Sequence, residues 1–427
     1  MTLRHTTEDK VAMTFEPRYA PWLEWLDSQH DCMLARTIEL AGINSGSLNA
    51  AGVNRVRETL QQYCSVLGGD IEVLPVPPYT QVTEQGETQQ FALGDALRIR
   101  KRAEAPLQIF FCGHMDTVFA ADHPFQTVRW LDHKTLNGPG VADLKGGLMV
   151  MLKAIEALER SPFSDRIGWE ILFNPDEEIG SLSSAPLISE AAGRCDLGLI
   201  YEPCMPDGNL AGERKGSGNF SVVVQGRAAH AGREHHLGRN AVRALCDYVS
   251  ALDDLNGQRD GVTINPGFIH GGGAVNVVPD QAMFRFNIRL SDPADESWCL
   301  AQLERLAADI NSRDGISLQL HGAFGRKPKR LTDANLALFE LVRDCGEQLG
   351  MALEWKPTGG CCDGNNLAAA GVPNIDTLGV QGGKIHSSDE FMFVSSLTER
   401  VALNALILMK LADGALNAHL HSKGRAR

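Results

Sequence analysis

The sequence predicts an α/β protein: a mostly parallel central sheet flanked by helices, interrupted by a smaller α+β unit. Three observations carry this. Strand and helix patterns alternate from about residue 70 to residue 201, as in a parallel sheet. Between residues 216 and 321 the order becomes β-α-β-β-α-β, that of a ferredoxin-like sandwich. After residue 328 the alternation resumes. Residues 1–213 and 328–427 are therefore expected to form one larger domain, with 214–327 inserted into it as a unit of domain size.

Taken in order, residues 1–15 read as a loose polar arm without the apolar stretch of a secretory leader. Apolar residues recur at helical spacing over 19–40, predicting one or two helices. A second helical stretch, 50–67, is closed by Gly68-Gly69. Residues 71–76 are a strand candidate, and the polar run 77–90 reads as a loop. Residues 96–100 alternate and 107–111 are largely apolar, giving two more strands. The run 144–158 is a strong helical pattern opening on Gly146 and Gly147, which permit close backbone approach. A strand over 169–173, a helix over 185–192 and a strand over 197–201 follow. In the insert, strands are expected at 216–226, 261–270, 281–289 and 316–321, with helices at 240–252 and 295–310. The chain then returns to helix 333–349, strand 353–356, a helix near 366–370, strand 374–378 and helix 396–411. The tail from 416 to 427 is basic and expected to be poorly ordered.

Composition narrows the function. With 43% hydrophobic and 22% charged residues the chain can bury a sizeable core. A formal net charge of -13 argues against a general nucleic-acid binder, which needs a basic face. No run approaches the ~18 apolar residues of a membrane span. Ten cysteines at irregular spacing, with no C-x-x-C pair, point to a reduced, cytoplasmic protein.

Ligands of such sheets bind beyond the carboxyl ends of the strands. His114, Glu177, Glu178 and Glu202 each closely follow an apolar run. In Phe111-Cys112-Gly113-His114-Met115-Asp116, alternation along an extended segment turns His114 and Asp116 the same way. Asp116 can then hold the second ring nitrogen of a metal-bound His114, or orient a neighbour. His114, Asp143, Glu178, Glu202 and His386 are nitrogen and oxygen donors suited to zinc first, with manganese or cobalt as alternatives. Two imidazoles and three carboxylates exceed the needs of one four-coordinate site. If Asp143 bridges, two divalent cations about 3.5–4 Å apart each gain a His and a Glu, and can activate a shared water and polarise a carbonyl. Glu177, adjacent but not needed as a ligand, is the natural general base. Alone, an H-x-D or an acidic turn is ordinary surface; their arrival together at strand ends gives them chemical meaning. A single structural zinc is disfavoured, because such sites prefer cysteines.

These stretches resemble the M20 family of metallopeptidases and deacylases. The matching segments are Gly113-His114-Met115-Asp116, Gly138-Pro139-Gly140-Val141-Ala142-Asp143, Pro175-Asp176-Glu177-Glu178, Tyr201-Glu202-Pro203 and His386-Ser387-Ser388-Asp389-Glu390. In the insert they are Gly226-Arg227-Ala228-Ala229-His230-Ala231-Gly232 and Ala274-Val275-Asn276-Val277-Val278-Pro279-Asp280. The resemblance implies a zinc-peptidase-like catalytic domain carrying a lid and dimerisation domain. It pairs His114 with Glu202 on one metal and Glu178 with His386 on the other, with Asp143 bridging. It makes Glu177 the general acid/base and Asp116 the residue that steers His114. His230 would reach a neighbouring subunit's site and steady the oxyanion, which implies a homodimer through the lid. Asn276 and Arg289 would hold the substrate's carboxylate, a task suited to a planar guanidinium, with Gly360 beside them.

The features around Thr358-Gly359-Gly360 look most like the glutamate carboxypeptidase branch. The implied substrate is small: an acidic dipeptide, cut at an amide next to a free carboxylate. The close alternative is an N-acyl amino-acid deacylase, similar to acetylornithine deacetylase or succinyl-diaminopimelate desuccinylase. A non-catalytic binding protein on the same fold would be favoured by loss of Glu177 or a ligand, and the sequence has lost neither. Cys361-Cys362 depart from the family's Gly followed by Ser or Thr; near the pocket they could alter substrate fit or bind a soft metal, but such cysteines are more often inert small fillers, and no catalytic role is read into them.

Overall fold

The computed structural model describes residues 15–420; the arm before residue 15 and the tail beyond 420 lie outside the described residues. The central sheet has six strands in the order Asp70–Leu74, Ala96–Lys101, Ile167–Asn174, Leu107–His114, Leu197–Ile200 and Asn374–Ile375. The sheet is mixed: Ala96–Lys101 pairs antiparallel with both neighbours, and the remaining pairs are parallel. Leu107–His114 and Ile167–Asn174 are buried along nearly their whole length. That accounts for their continuous rather than alternating apolar pattern, since helices cover both faces.

Helix Gly146–Arg160 packs under the sheet beside Ser395–Ala412, inside one large apolar core that includes Phe111, Leu148, Ile171 and Leu406. The glycines at its start are needed for contact. A Cβ on Gly147 would lie 2.2 Å from the Tyr201 carbonyl oxygen, and one on Gly146 2.5 Å from that of Val141. This approach brings the segment carrying Asp143 against the strand end carrying Glu202.

The insert has its own four-stranded antiparallel sheet, ordered Thr263–Gly271, Gln281–Leu290, Gly216–Gln225 and Ser317–Arg326. Helices Ala241–Asp253 and Asp295–Asn311 cover one face, closing a second core around Phe220, Val222, Phe284 and Leu303. The other face carries no helix, is mostly polar, and borders the cavity described below.

Three features depart from the sequence expectation. The run 77–90 is not a plain loop: Tyr79–Val82 and Thr88–Phe91 form a hairpin. Its Val82 packs on Val223 and Met283 of the four-stranded antiparallel sheet, so its pattern held no local alternation to read. A second four-stranded sheet joins Arg129–Trp130, Thr135–Asn137, Phe391–Phe393 and Gly382–Gly383, strands too short to signal themselves. Leu210–Arg214 pairs in parallel with Trp355–Thr358 at the crossing between larger body and insert. Among the described residues no helix is long and apolar enough to cross a membrane.

Candidate active site

The carboxyl edge of the central sheet gathers the donors named from sequence. His114 ends its strand, Glu177 and Glu178 lie in a single turn after Ile167–Asn174, and Glu202 follows Leu197–Ile200. Asp143 sits in the turn before helix Gly146–Arg160. Its two oxygens diverge: Oδ1 lies 3.1 Å from His114 Nε2, and Oδ2 3.3 Å from His386 Nε2. His386 Nε2 is also 3.1 Å from Glu178 Oε2, and His114 Nε2 is 3.9 Å from Glu202 Oε2. Asp143 thus lies between the two imidazoles, with Glu202 on the His114 side and Glu178 against His386. His386 takes a φ of 62°, sparsely populated for a residue with a Cβ, to turn its ring inward.

Asp116 and three residues without a role read from sequence, Ser47, Glu390 and Arg326, hold this arrangement. The Asp116 carboxylate accepts from Ser47 Oγ at 2.7 Å and from the backbone amides of Glu177 and Glu178 at 3.1 and 3.2 Å. His114 Nδ1 lies 3.0 Å from the Asp116 carbonyl oxygen and 3.5 Å from its carboxylate. Asp116 therefore meets the His114 ring most closely through its main-chain oxygen, while its carboxylate binds the turn bearing Glu177 and Glu178. Glu390 does the same for Asp143, accepting from the amides of Gly140, Ala142 and Asp143 at 3.0–3.1 Å. Arg326, from the last strand of the insert, donates to Glu177 Oε1 at 2.7 Å and to Ser181 Oγ at 2.8 Å.

The electrostatics favour cations. Burial pushes the carboxyl groups of Glu177 and Glu202 above their ordinary range, and that of Glu178 up to about 7 with Asp143 adding to the effect. Burial also acts on Asp143, but His114 and His386 outweigh it and hold that group low. Hydrogen bonds to Asp143 and Glu178 raise His386 to about 11. Crowded buried carboxylates of this kind take up protons unless another positive charge compensates them. Glu202 Oε1 is moreover buried with no hydrogen-bond partner. Donor atoms of His114, Asp143 and Glu178 lie within 4.8 Å of one another, as do those of His114, Glu177 and Glu202. The residues fit hard divalent cations in number, type and charge.

A cavity of about 780 Å³ opens over this cluster, walled on the far side by the insert. Arg289 and Gly360 line it. His230 and Asn276 do not: both lie in exposed loops of the insert, apart from the cluster of their own chain. His230 Nδ1 accepts from the amides of Gly232 and Arg233, so the neutral ring carries its proton on Nε2. The two cysteines differ from the filler reading. Cys361 Sγ lies in the cavity wall, 3.0 Å from Arg289 Nη1 and 3.7 Å from Arg326 Nη1. Cys362 caps helix Asp363–Ala369, accepting from Gly364 N.

Fold and donor set together define a metal-dependent hydrolase. Peptidase family M20/M25/M40 matches residues 110–410, and the chain belongs to that family. It is 27% identical over 392 residues to carboxypeptidase G2 of Pseudomonas sp. (strain RS-16), covering 89% of each chain. It is 27% identical over 337 residues to succinyl-diaminopimelate desuccinylase of Nitrosococcus oceani, covering 73% of this chain and 86% of that one. In fold it matches a tripeptidase from Staphylococcus aureus subsp. aureus Mu50 with a TM-score of 0.71 at 20% identity, over 90% of this chain and 99% of the other.

Proposed function

We propose that the protein is a dinuclear hydrolase that cleaves an amide bond next to a free carboxylate, in the manner of a glutamate carboxypeptidase. One observation carries the reading: Asp143 spans two imidazoles through separate oxygens, 3.1 and 3.3 Å away, in a cavity that Arg289 also lines. His114 and Glu202 would hold one zinc, His386 and Glu178 the other, and Asp143 both. When bound, the pair supplies Lewis acidity to the scissile carbonyl and the attacking water. Glu177 takes the proton from that water and returns it to the leaving amine. Arg326 fixes the Glu177 carboxylate for both transfers. Arg289 receives the carboxylate of the departing amino acid, and Asp116 holds the turn on which Glu177 sits.

The carboxypeptidase relative supports a dipeptide-like substrate, and the desuccinylase relative supports an N-acyl amino acid. Both leave an amine that bears a carboxylate, so Arg289 suits either. The separate core of the insert supports reading 214–327 as a lid domain between catalytic parts 1–213 and 328–427. Exposure of His230, Asn276 and Val275 on that lid supports a homodimer in which His230 steadies the oxyanion in the partner's site. Ten unpaired thiols support a cytoplasmic setting.

The test is a screen of zinc-loaded protein against acidic dipeptides and N-acyl amino acids, reading released amine. Chelation should abolish the activity and zinc restore it; hydrolysis indifferent to chelator would overturn the mechanism.

A further inference from the structure

Three rows of side chains cross the helix-free face of the inserted sheet. The row nearest the donors pairs Arg289 with Ser217 and Ser217 with Arg326. These guanidiniums are engaged by Cys361 and Glu177. The middle row satisfies itself, Asn287 Nδ2 donating to Asn219 Oδ1 at 2.7 Å and to Ser217 Oγ at 3.0 Å. The far row pairs Arg285 with Ser221 and Ser221 with His321, and all three line the same cavity.

This far row is short of partners. Arg285 Nη2 donates to the Val82 carbonyl of the hairpin at 2.8 Å, and the guanidinium stacks 5.0 Å from the Phe268 ring centre. Its Nε is buried with no partner, as is Nε2 of His321. Among the described residues no carboxylate forms an ion pair with Arg285. A guanidinium held in a cavity wall by a neutral carbonyl and an aromatic face keeps its full charge for whatever enters. Its planar fork suits a carboxylate.

Arg285 and Arg289 stand four residues apart on a strand whose pairing with Gly216–Gln225 has no register shift. At the rise of an extended strand their backbones are about 13–14 Å apart. Resting on the amide-hydrolase reading above, we infer that the cavity selects substrates anionic at both ends. One carboxylate flanks the scissile amide near Arg289. A second, at the far end of the acyl part, is received by Arg285 with Ser221 and His321 beside it.

The experiment compares N-suberoyl-glutamate with N-octanoyl-glutamate, which differ only in a terminal carboxylate against a methyl, on the zinc-loaded enzyme. A charge-assisted hydrogen bond predicts kcat/KM about 10- to 100-fold higher for the suberoyl compound. Arg285→Gln, which can still donate to the Val82 carbonyl, should erase that ratio while leaving the octanoyl rate within about threefold; His321→Leu should reduce it partly. Because the ratio is internal to each protein, a general loss of folding cannot mimic the result. Equal kcat/KM for the two compounds, or an unchanged ratio in Arg285→Gln, overturns the inference while leaving the hydrolase reading intact. If neither is cleaved, that reading fails, and calorimetric binding of the same two compounds still decides: tighter suberoyl binding, lost in Arg285→Gln, supports the subsite, and equal binding refutes it.

Discussion

Glu177→Gln separates metal binding from proton transfer. Glu177 is buried, and its Oε1 lies 2.7 Å from Arg326 Nη2. A glutamine has the same shape and can still accept that hydrogen bond. Arg326 also keeps Ser181 Oγ at 2.8 Å and Asp363 at 3.4 Å, so the guanidinium is not left alone. The donors His114, Asp143, Glu178, Glu202 and His386 are untouched. The variant should therefore retain wild-type zinc content and melt within a few degrees of the wild type. Turnover, lacking its base, should fall by about 10²–10⁴, the usual worth of a positioned general base. That corresponds to about 2.7–5.5 kcal/mol of transition-state stabilisation. The assay is kcat on an acidic dipeptide, with metal content measured on the same preparation. A variant with full zinc and a kcat within about threefold of wild type would refute the assignment.

Other outcomes follow from the same geometry. Asp116→Asn, which weakens the carboxylate holding the Glu177–Glu178 turn, should lower zinc affinity about 10- to 100-fold in a competition titration; unchanged affinity would show that the main-chain contact to His114 suffices. Burial would raise the Cys361 thiol, but Arg326 and Arg289 outweigh it and hold it below the ordinary value. Iodoacetamide at neutral pH should therefore label Cys361 ahead of the exposed Cys246, as read by peptide mass mapping, and Arg289→Gln should slow that labelling; preferential labelling of Cys246 would contradict the contact. His230→Ala should depress kcat while sedimentation still reports a dimer, and an unchanged kcat would exclude this side chain from the partner's site.

What was legible in the sequence is what acts locally. The strand Leu107–His114 announced itself by an apolar run, and the donors followed such runs because strand ends build the site. The glycines opening helix Gly146–Arg160 were readable as a close approach: Gly147 lies against the Tyr201 carbonyl and Gly146 against that of Val141. Arg326 was not legible. It closes a strand of the insert, and its meaning depends on the insert folding back over Glu177, about 150 residues earlier in the chain. Glu390 ends the motif that begins at His386, but its partners are backbone amides that carry no side-chain signature, so its role is invisible in sequence. Ser47 lies between the helical stretches 19–40 and 50–67, where the pattern gives it no role, and its hydroxyl reaches Asp116 through tertiary packing alone. The hairpin was hidden for a related reason: Val82 finds its apolar partners, Val223 and Met283, on a different sheet about 140 residues or more further along the chain.

The central claim is that Asp143 joins two cations, and counting them tests it most directly. Protein loaded with zinc, freed of excess by gel filtration and analysed by mass spectrometry of the metal, should carry two zinc ions per chain. Asp143→Ala should lose both or hold one weakly. One zinc in the wild type, or two retained by Asp143→Ala, would contradict the account.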